Sequence, residues 1–251
     1  MIPALSQRGQ GAIYMNAADS IRAPMVHLQR PDREESSLLI KQTLARKLRD
    51  EIIRGRLAPG ERIIEGSWAR RFGVAQTSVR EAINLLIGEG FVTKASGRSA
   101  RVISYTEADI AEIYELRSAL EGLAARLATE RQVDLTLLQE AFKEMQKATK
   151  TGEIRRLIEA DLHFHLCLCE LSGNRFLLAQ ARTLLVPLFA FVSIRAVQVR
   201  QTAKAWESDL GRHKRIIDLI REGHPAAAEF TVRAALQQFA ASAYGIWQEA
   251  R

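Results

Sequence analysis

The chain has 251 residues, 47% hydrophobic and 26% charged, enough for one large domain or two ordinary ones; this excludes a wholly disordered, collagenous or coiled-coil chain. Two cysteines are too few for a disulfide scaffold and suit a reducing cytoplasm, and six prolines with 6% aromatics favour helices over a β-sandwich. The formal net charge of +7 is unevenly placed: residues 1–35 hold four basic and four acidic residues, residues 106–251 hold 19 of each, and residues 36–105 hold 13 basic against 6 acidic. A basic stretch joined to neutral ones is either a polyanion-binding module or a solvated basic face.

Residues 1–37 lack sustained periodicity and read as a flexible arm. No apolar run follows a basic start, so no signal peptide is expected. The strongly apolar stretch Leu184–Val192 is interrupted by Pro187 and is too short to span a bilayer. A soluble, cytoplasmic chain without a membrane partner follows. From Leu38 the pattern turns helical, with Leu44, Leu48, Ile52 and Ile53 at helical spacing and Gly55 as a stop. Leu57-Ala58-Pro59-Gly60 is a turn. A short helix from Glu65 to Phe72 breaks at Gly73, and a second from Gln76 to Ile87 ends at Gly88 and Gly90. Phe91-Val92-Thr93 and Ala100-Arg101-Val102-Ile103 predict two short strands joined through Ser96-Gly97-Arg98-Ser99.

Beyond Ser104 every signal is helical. Thr106 with Asp109 forms a capping-box pattern, and Ile110, Ile113, Leu116, Leu120 and Leu123 make an apolar stripe behind it. Asp134 caps a second helix to about Lys150, and a third runs from Glu153 to Leu171, ending at Ser172-Gly173-Asn174. Phe176 to Val199, bent at Pro187, then Ala205 to Arg221 and Pro225 to Trp247 complete six helices. The pattern predicts a mainly α protein: an arm at 1–37, a winged helix-turn-helix at 38–104, and an antiparallel all-α bundle at 105–251 for effector binding and dimerisation.

Helix, short helix, tight turn, helix and hairpin make a winged helix-turn-helix. Its second helix must fit the major groove, so small polar and basic residues belong at its start, where Gln76, Thr77, Ser78 and Arg80 stand. Ala69 is small enough for a close helix crossing. Lys41, Arg46, Arg70 and Arg71 are placed for phosphates, and Arg98 and Arg101 for phosphate or the minor groove. The alternative is a helical hairpin for protein contacts. Leu57-Ala58-Pro59-Gly60-Glu61-Arg62-Ile63, Ala69-Arg70-Arg71-Phe72-Gly73-Val74, Ser78-Val79-Arg80-Glu81-Ala82-Ile83 and Glu89-Gly90-Phe91-Val92 closely resemble the GntR family of bacterial transcription regulators. The resemblance implies that Arg80 contacts DNA with help from the wing. Ala75-Gln76 stands where many relatives have Ser-Arg, Gly66 where Arg is common, and Ala100 where Gly is usual. Gln76 favours adenine through a bidentate contact where Arg favours guanine.

The later helices resemble the FCD ligand-binding domain of the FadR-like subgroup. The matching pieces are Glu115-Leu116-Arg117 with Leu120-Glu121, Asp161 with Phe164-His165, Leu171-Ser172-Gly173-Asn174, and His213-Lys214-Arg215-Ile216-Ile217. Asp161 and His165 are one helical turn apart, on a face where a carboxylate oxygen and an imidazole nitrogen can share a metal. His213 supplies a third ligand across the core. Relatives that hold a divalent metal such as Zn, Ni or Mn add another histidine where this chain has Ala235. Either the metal keeps three protein ligands, or these residues hydrogen-bond an effector directly. Arg117 either anchors a small carboxylate effector or pairs with Glu121 at i,i+4. Asn174 is a C-cap, a pocket donor or both, and Arg195 is a further contact for an anionic effector. His163 points away from this face, and Cys167 and Cys169 diverge.

These features predict a DNA-binding transcription regulator, not an enzyme, acting as a homodimer on a two-fold operator and tuned by a small organic acid. The rivals are an architectural nucleic-acid binder whose bundle only dimerises, and a metal-dependent hydrolase or lyase using Asp161, His165 and His213.

Overall fold

The computed structural model describes residues 33–95, 99–198 and 207–242. In chain order the elements are α1 (Arg33–Ile53), α2 (Glu65–Phe72), α3 (Gln76–Gly88), β1 (Val92–Thr93), β2 (Arg101–Val102), α4 (Glu107–Glu130), α5 (Thr136–Thr151), α6 (Ile154–Leu171), α7 (Arg175–Gln198), α8 (Glu207–Arg221) and α9 (Pro225–Ser242). The first five make a winged helix-turn-helix and the rest an antiparallel helical bundle, the mainly α architecture that the sequence pattern predicts.

In the winged helix, Leu44, Leu48 and Ile52 of α1 meet Val79, Ile83 and Leu86 of α3, none more than 4% exposed. Burying each of these side chains contributes roughly 1.5–3 kcal/mol. Gly73 ends α2 in the left-handed region at φ +65°, its N–H shared between the carbonyls of Ala69 and Arg70. That reversal lets α3 cross α2 above the buried Ala69. Val92 pairs with Val102 and Thr93 with Arg101 in the antiparallel hairpin, and a bridge from Arg62 to Arg101 ties the segment after α1 to it. The hairpin tip with Arg98 lies outside the described residues, as do residues 1–32 of the expected arm. Residues 33–37, expected in that arm, belong to α1, which starts earlier than its apolar periodicity does.

Thr106 caps α4 as expected: its Oγ1 accepts the Asp109 N–H at 3.1 Å and the Asp109 carboxylate accepts the Thr106 N–H at 2.7 Å. Asp134 accepts the Thr136 N–H at 2.9 Å from one position outside the α5 N-cap, Leu135. The α4 helix lies at the centre, against α6, α7, α8 and α9, over a core that includes Phe164, Leu138, Met145 and Leu185. By length and composition α7 is apolar enough to cross a membrane, yet 56% of that apolar stretch is buried in the bundle, which accounts for its composition. The two halves meet where Gly90 (φ +78°) lies on the backbone of α7: a Cβ on Gly90 would sit 2.6 Å from Pro187 Cα. Beside it Tyr105 packs edge-on against Phe191, ring centroids 5.4 Å apart.

Candidate functional site

A cavity of about 50 Å³ opens inside the bundle, walled by residues of α4, α6, α7, α8 and α9. That is room for a few waters or one small polar group. Asp161 and His165 reach it from α6 and His213 from α8, all three buried, with their ligand atoms within 4.8 Å of one another. Asp161 Oδ1 is 3.2 Å from His165 Nε2 and 2.9 Å from His213 Nε2, and the two Nε2 atoms are 3.4 Å apart.

The opposite nitrogens decide what these atoms can do. His213 Nδ1 lies 2.7 Å from the Asp209 carbonyl, which only accepts, so Nδ1 carries the proton. His165 Nδ1 faces the Glu121 carboxylate, which holds the proton there in the same way. With both rings neutral, two Nε2 lone pairs and a carboxylate oxygen converge and repel unless a cation lies between them. A proton on His165 Nε2 relieves one contact, whereas a metal ion relieves all three. Ligand atoms bound to one such ion at about 2.0–2.2 Å lie about 3.0–3.5 Å apart, close to the spacing found here. Asp161 Oδ1 is buried with the two imidazole nitrogens beside it. The donor set therefore fits a divalent ion of the Zn, Ni or Mn kind. Ala235 forms part of the cavity wall and brings no ligand atom.

Arg117 takes the Glu121 pairing and also faces the cavity. Its Nε binds Glu121 Oε1 at 2.5 Å, with the two side chains 4% and 1% exposed, and it lines the cavity. Its guanidinium lies 5.2 Å from the Tyr114 ring and 5.0 Å from the Phe189 ring, while Nη2 is buried without a hydrogen-bond partner among the described residues. Burial opposes the charge on Glu121, but Arg117 and then His165 outweigh it and hold the carboxyl below its ordinary value. For Asp161, burial is likewise outweighed, by His165 and His213. For His165, burial is outweighed chiefly by Glu121, so its pKa is raised. Asp209 is pushed up by burial despite Arg212.

Two expected effector contacts lie elsewhere. Asn174 caps α7, its Oδ1 accepting the N–H groups of Phe176 and Leu177, each at 3.1 Å, and it is not in the cavity wall. Arg195 stands nearly two turns beyond Phe189, carried about 9 Å along α7 toward the winged helix. There it donates to Gln198 at 3.0 Å and lines a separate crevice with Ile53, Pro59 and Tyr105. Conversely, Tyr114, Glu121 and Asp209 belong to the centre and were not expected there. Glu121 was expected only as the partner of Arg117. His163 is exposed beside Cys167, and burial pushes both free thiols up.

At the other end of the molecule, Gln76, Thr77 and Arg80 are exposed along one side of α3, and Ser78 is half-buried. Lys41 is half-buried, Arg46 and Arg70 are exposed, and none of the three has an acidic partner among the described residues. Arg71 is engaged internally, 3.0 Å from Glu51 and stacked 4.5 Å over Trp68, and Arg101 donates to the Gly60 carbonyl at 2.9 Å.

A basic winged helix fused to an all-α bundle is the build of a bacterial transcription regulator. A model described as "Bacterial regulatory proteins, gntR family" matches residues 40–102, and the FCD domain model matches residues 112–238. The chain is 30% identical over 186 residues to the HTH-type transcriptional regulator YdhC of Bacillus subtilis (strain 168), spanning 73% of this chain and 81% of that protein. It is 30% identical over 199 residues to the probable D-xylose utilization operon transcriptional repressor of Paenarthrobacter nicotinovorans, spanning 77% and 86%. A GntR-type transcriptional regulator from Rhodococcus sp. RHA1 superposes with a TM-score of 0.64 at 25% identity, over 83% of this chain and 99% of that one. Escherichia coli McbR/YncC shares the fold, with a TM-score of 0.64 at 21% identity over the same shares. The chain belongs to the GntR family of bacterial transcription regulators and carries an FCD domain behind its helix-turn-helix. It is a regulator and not an enzyme, as are these relatives.

Proposed function

We propose that the protein acts in the cytoplasm as a homodimer on a two-fold operator, and that a divalent cation together with a small carboxylate in the bundle cavity sets its affinity for DNA. Gln76, Thr77, Ser78 and Arg80 read base edges in the major groove, Lys41, Arg46 and Arg70 hold phosphates, and Arg98 assists from the wing. Asp161, His165 and His213 hold the cation, whose chemistry here is electrostatic, giving an anionic effector a fixed partner. Arg117 presents its unbonded Nη2 to the effector carboxylate. The observation that carries this reading is the convergence of three electron-pair donors and one orphaned guanidinium donor on a single cavity. Ala235 leaves a coordination position that the effector's own oxygens fill, so cation and acid bind better together than apart.

Support for the homodimer comes from α4. Ile113, Leu116, Leu120, Leu123 and Leu127 recur at steps of three and four along a face adjoining that of Tyr114, Arg117 and Glu121; Ile113, Leu120 and Leu123 pack in part against the core, and Leu116 is 52% exposed.

Thermal melting of the full chain tests the cavity reading, with Zn, Ni or Mn chloride alone, sodium acetate alone, and both. Ligands that bind only the native state raise the melting temperature. A rise with the combination, lost in His213→Ala and Arg117→Leu, is expected. No shift under any combination overturns the reading.

A further inference from the structure

The side chains that face outward from α3 converge on one carboxylate. Glu65, the first residue of α2, has a side chain only 16% exposed beneath Arg80 at 53%. Its Oε2 accepts from Arg80 Nε at 3.1 Å and lies 3.0 Å from Arg80 Nη2, and it also accepts from Gln76 Nε2 at 3.2 Å. Its Oε1 lies 3.8 Å from Lys94 Nζ, just past β1. One anion thus ties together the start of the recognition helix, its second turn and the root of the wing.

The chemistry of these contacts fixes what is left over. Both bonds from Arg80 use the Nε–Nη2 edge of the guanidinium. The other edge, Nη1 with the second Nη2 hydrogen, keeps the forked donor pair that matches guanine O6 and N7. A carboxylate only accepts, so the Gln76 amide must turn its NH₂ toward Glu65. One N–H remains beside Oε1, the donor–acceptor pair that matches adenine N7 and N6. Gln76 and Arg80 are one turn apart, so both leftovers belong to one side of α3. Hydrogen bonding from Arg80 holds the Glu65 carboxyl below its ordinary value, so it stays ionised.

We infer that Glu65 is the specificity-setting residue of the DNA-reading surface: it orients Arg80 for guanine and Gln76 for adenine, and its charge disfavours random phosphate contacts. The inference rests on the reading of α3 as the recognition helix. Glu65 touches no base itself and is a positioning residue. Freed of it, Arg80 and Gln76 spread over several rotamers, and Arg80 becomes an ordinary phosphate-binding cation.

The test is selection from a random-sequence duplex library by the full chain, with titration of a non-selected duplex at fixed salt. Wild type, Glu65→Gln, Glu65→Ala, Gln76→Ala and Arg80→Ala are compared. Wild type is expected to enrich a two-fold site with one guanine and one adenine preference per half, each roughly ten- to a hundredfold over other bases. In both Glu65 variants these two preferences fall to a few-fold, binding to the non-selected duplex rises several-fold, and the melting temperature is unchanged. A merely structural ion pair would leave the base preferences alone. If Arg80→Ala and Gln76→Ala alter the selected site while Glu65→Gln and Glu65→Ala select as wild type does, the inference is overturned and the reading of α3 stands. If Arg80→Ala and Gln76→Ala also select as wild type does, the reading of α3 fails and carries the inference with it.

Discussion

Two arginine–glutamate pairs show how the halves of this molecule use the same chemistry to opposite ends. In the winged helix Arg80 is 53% exposed over a Glu65 that is 16% exposed, while in the bundle Arg117 and Glu121 are 4% and 1% exposed. An exposed pair held by one edge of the guanidinium is cheap to adjust, which suits a surface that keeps its own carboxylate while the other edge meets a nucleic acid. A buried pair is costly to break and leaves an uncompensated charge behind, so this one holds a fixed geometry inside the bundle. The comparison teaches that burial, more than residue type, separates a pair that adjusts from one that stays fixed.

The largest effect that would sharpen this contrast is ionic. If each protomer neutralises several phosphates through Lys41, Arg46, Arg70 and their neighbours, operator affinity falls about 10³–10⁵-fold between 50 and 200 mM salt, as measured by fluorescence anisotropy. A flat salt dependence breaks the assignment of the basic face. Next, Glu121→Ala leaves Arg117 buried without its counter-ion and is expected to cost about 3–5 kcal/mol in urea unfolding. A cost under 1 kcal/mol would show that water reaches Arg117 and that the two pairs differ little. Gly90→Ala is smaller but definite. It places a Cβ 2.6 Å from Pro187 Cα at a residue with φ +78°, and the left-handed backbone alone costs about 1–2 kcal/mol. The expected outcome is a lower melting temperature with the winged helix prised from α7. The smallest effect is expected at the part-exposed pair Arg49–Glu89, with side chains 19% and 38% exposed, where Glu89→Gln should cost about 1 kcal/mol or less.

Much of the fold was legible because helix signals and turn residues agreed at each boundary. Gly73, the Thr106–Asp109 box and Gly90 all fall where the chain turns or caps. The start of α1 was not legible: Glu34, Glu35, Ser36 and Ser37 carry no apolar periodicity, and acidic residues suit a helix N-terminus without announcing one. In the bundle, Asp161 and His165 declared themselves by spacing, and His213 by the resemblance of its surroundings. Glu121 did not, because a carboxylate on a helix usually faces water and only three-dimensional burial turns it into the residue that orients His165. Asn174 and Arg195 lie outside the wall of the bundle cavity for a related reason. Both stand near the right helices in sequence, but one is spent on capping α7 and the other lies too far along it. Glu65 gave no signal at all, since the groups it joins are 11 and 15 residues away and meet only once α2 and α3 cross.

The joint between the halves has a further consequence. At its tightest point, Gly90 against Pro187, backbone meets backbone. Such a seat does not ask the reading half to know which sequence it reads, nor the sensing half which acid it senses. Because this contact is made by main chain, side-chain changes elsewhere in either half leave it in place, and any shift of α7 at Pro187 is passed straight to the winged helix.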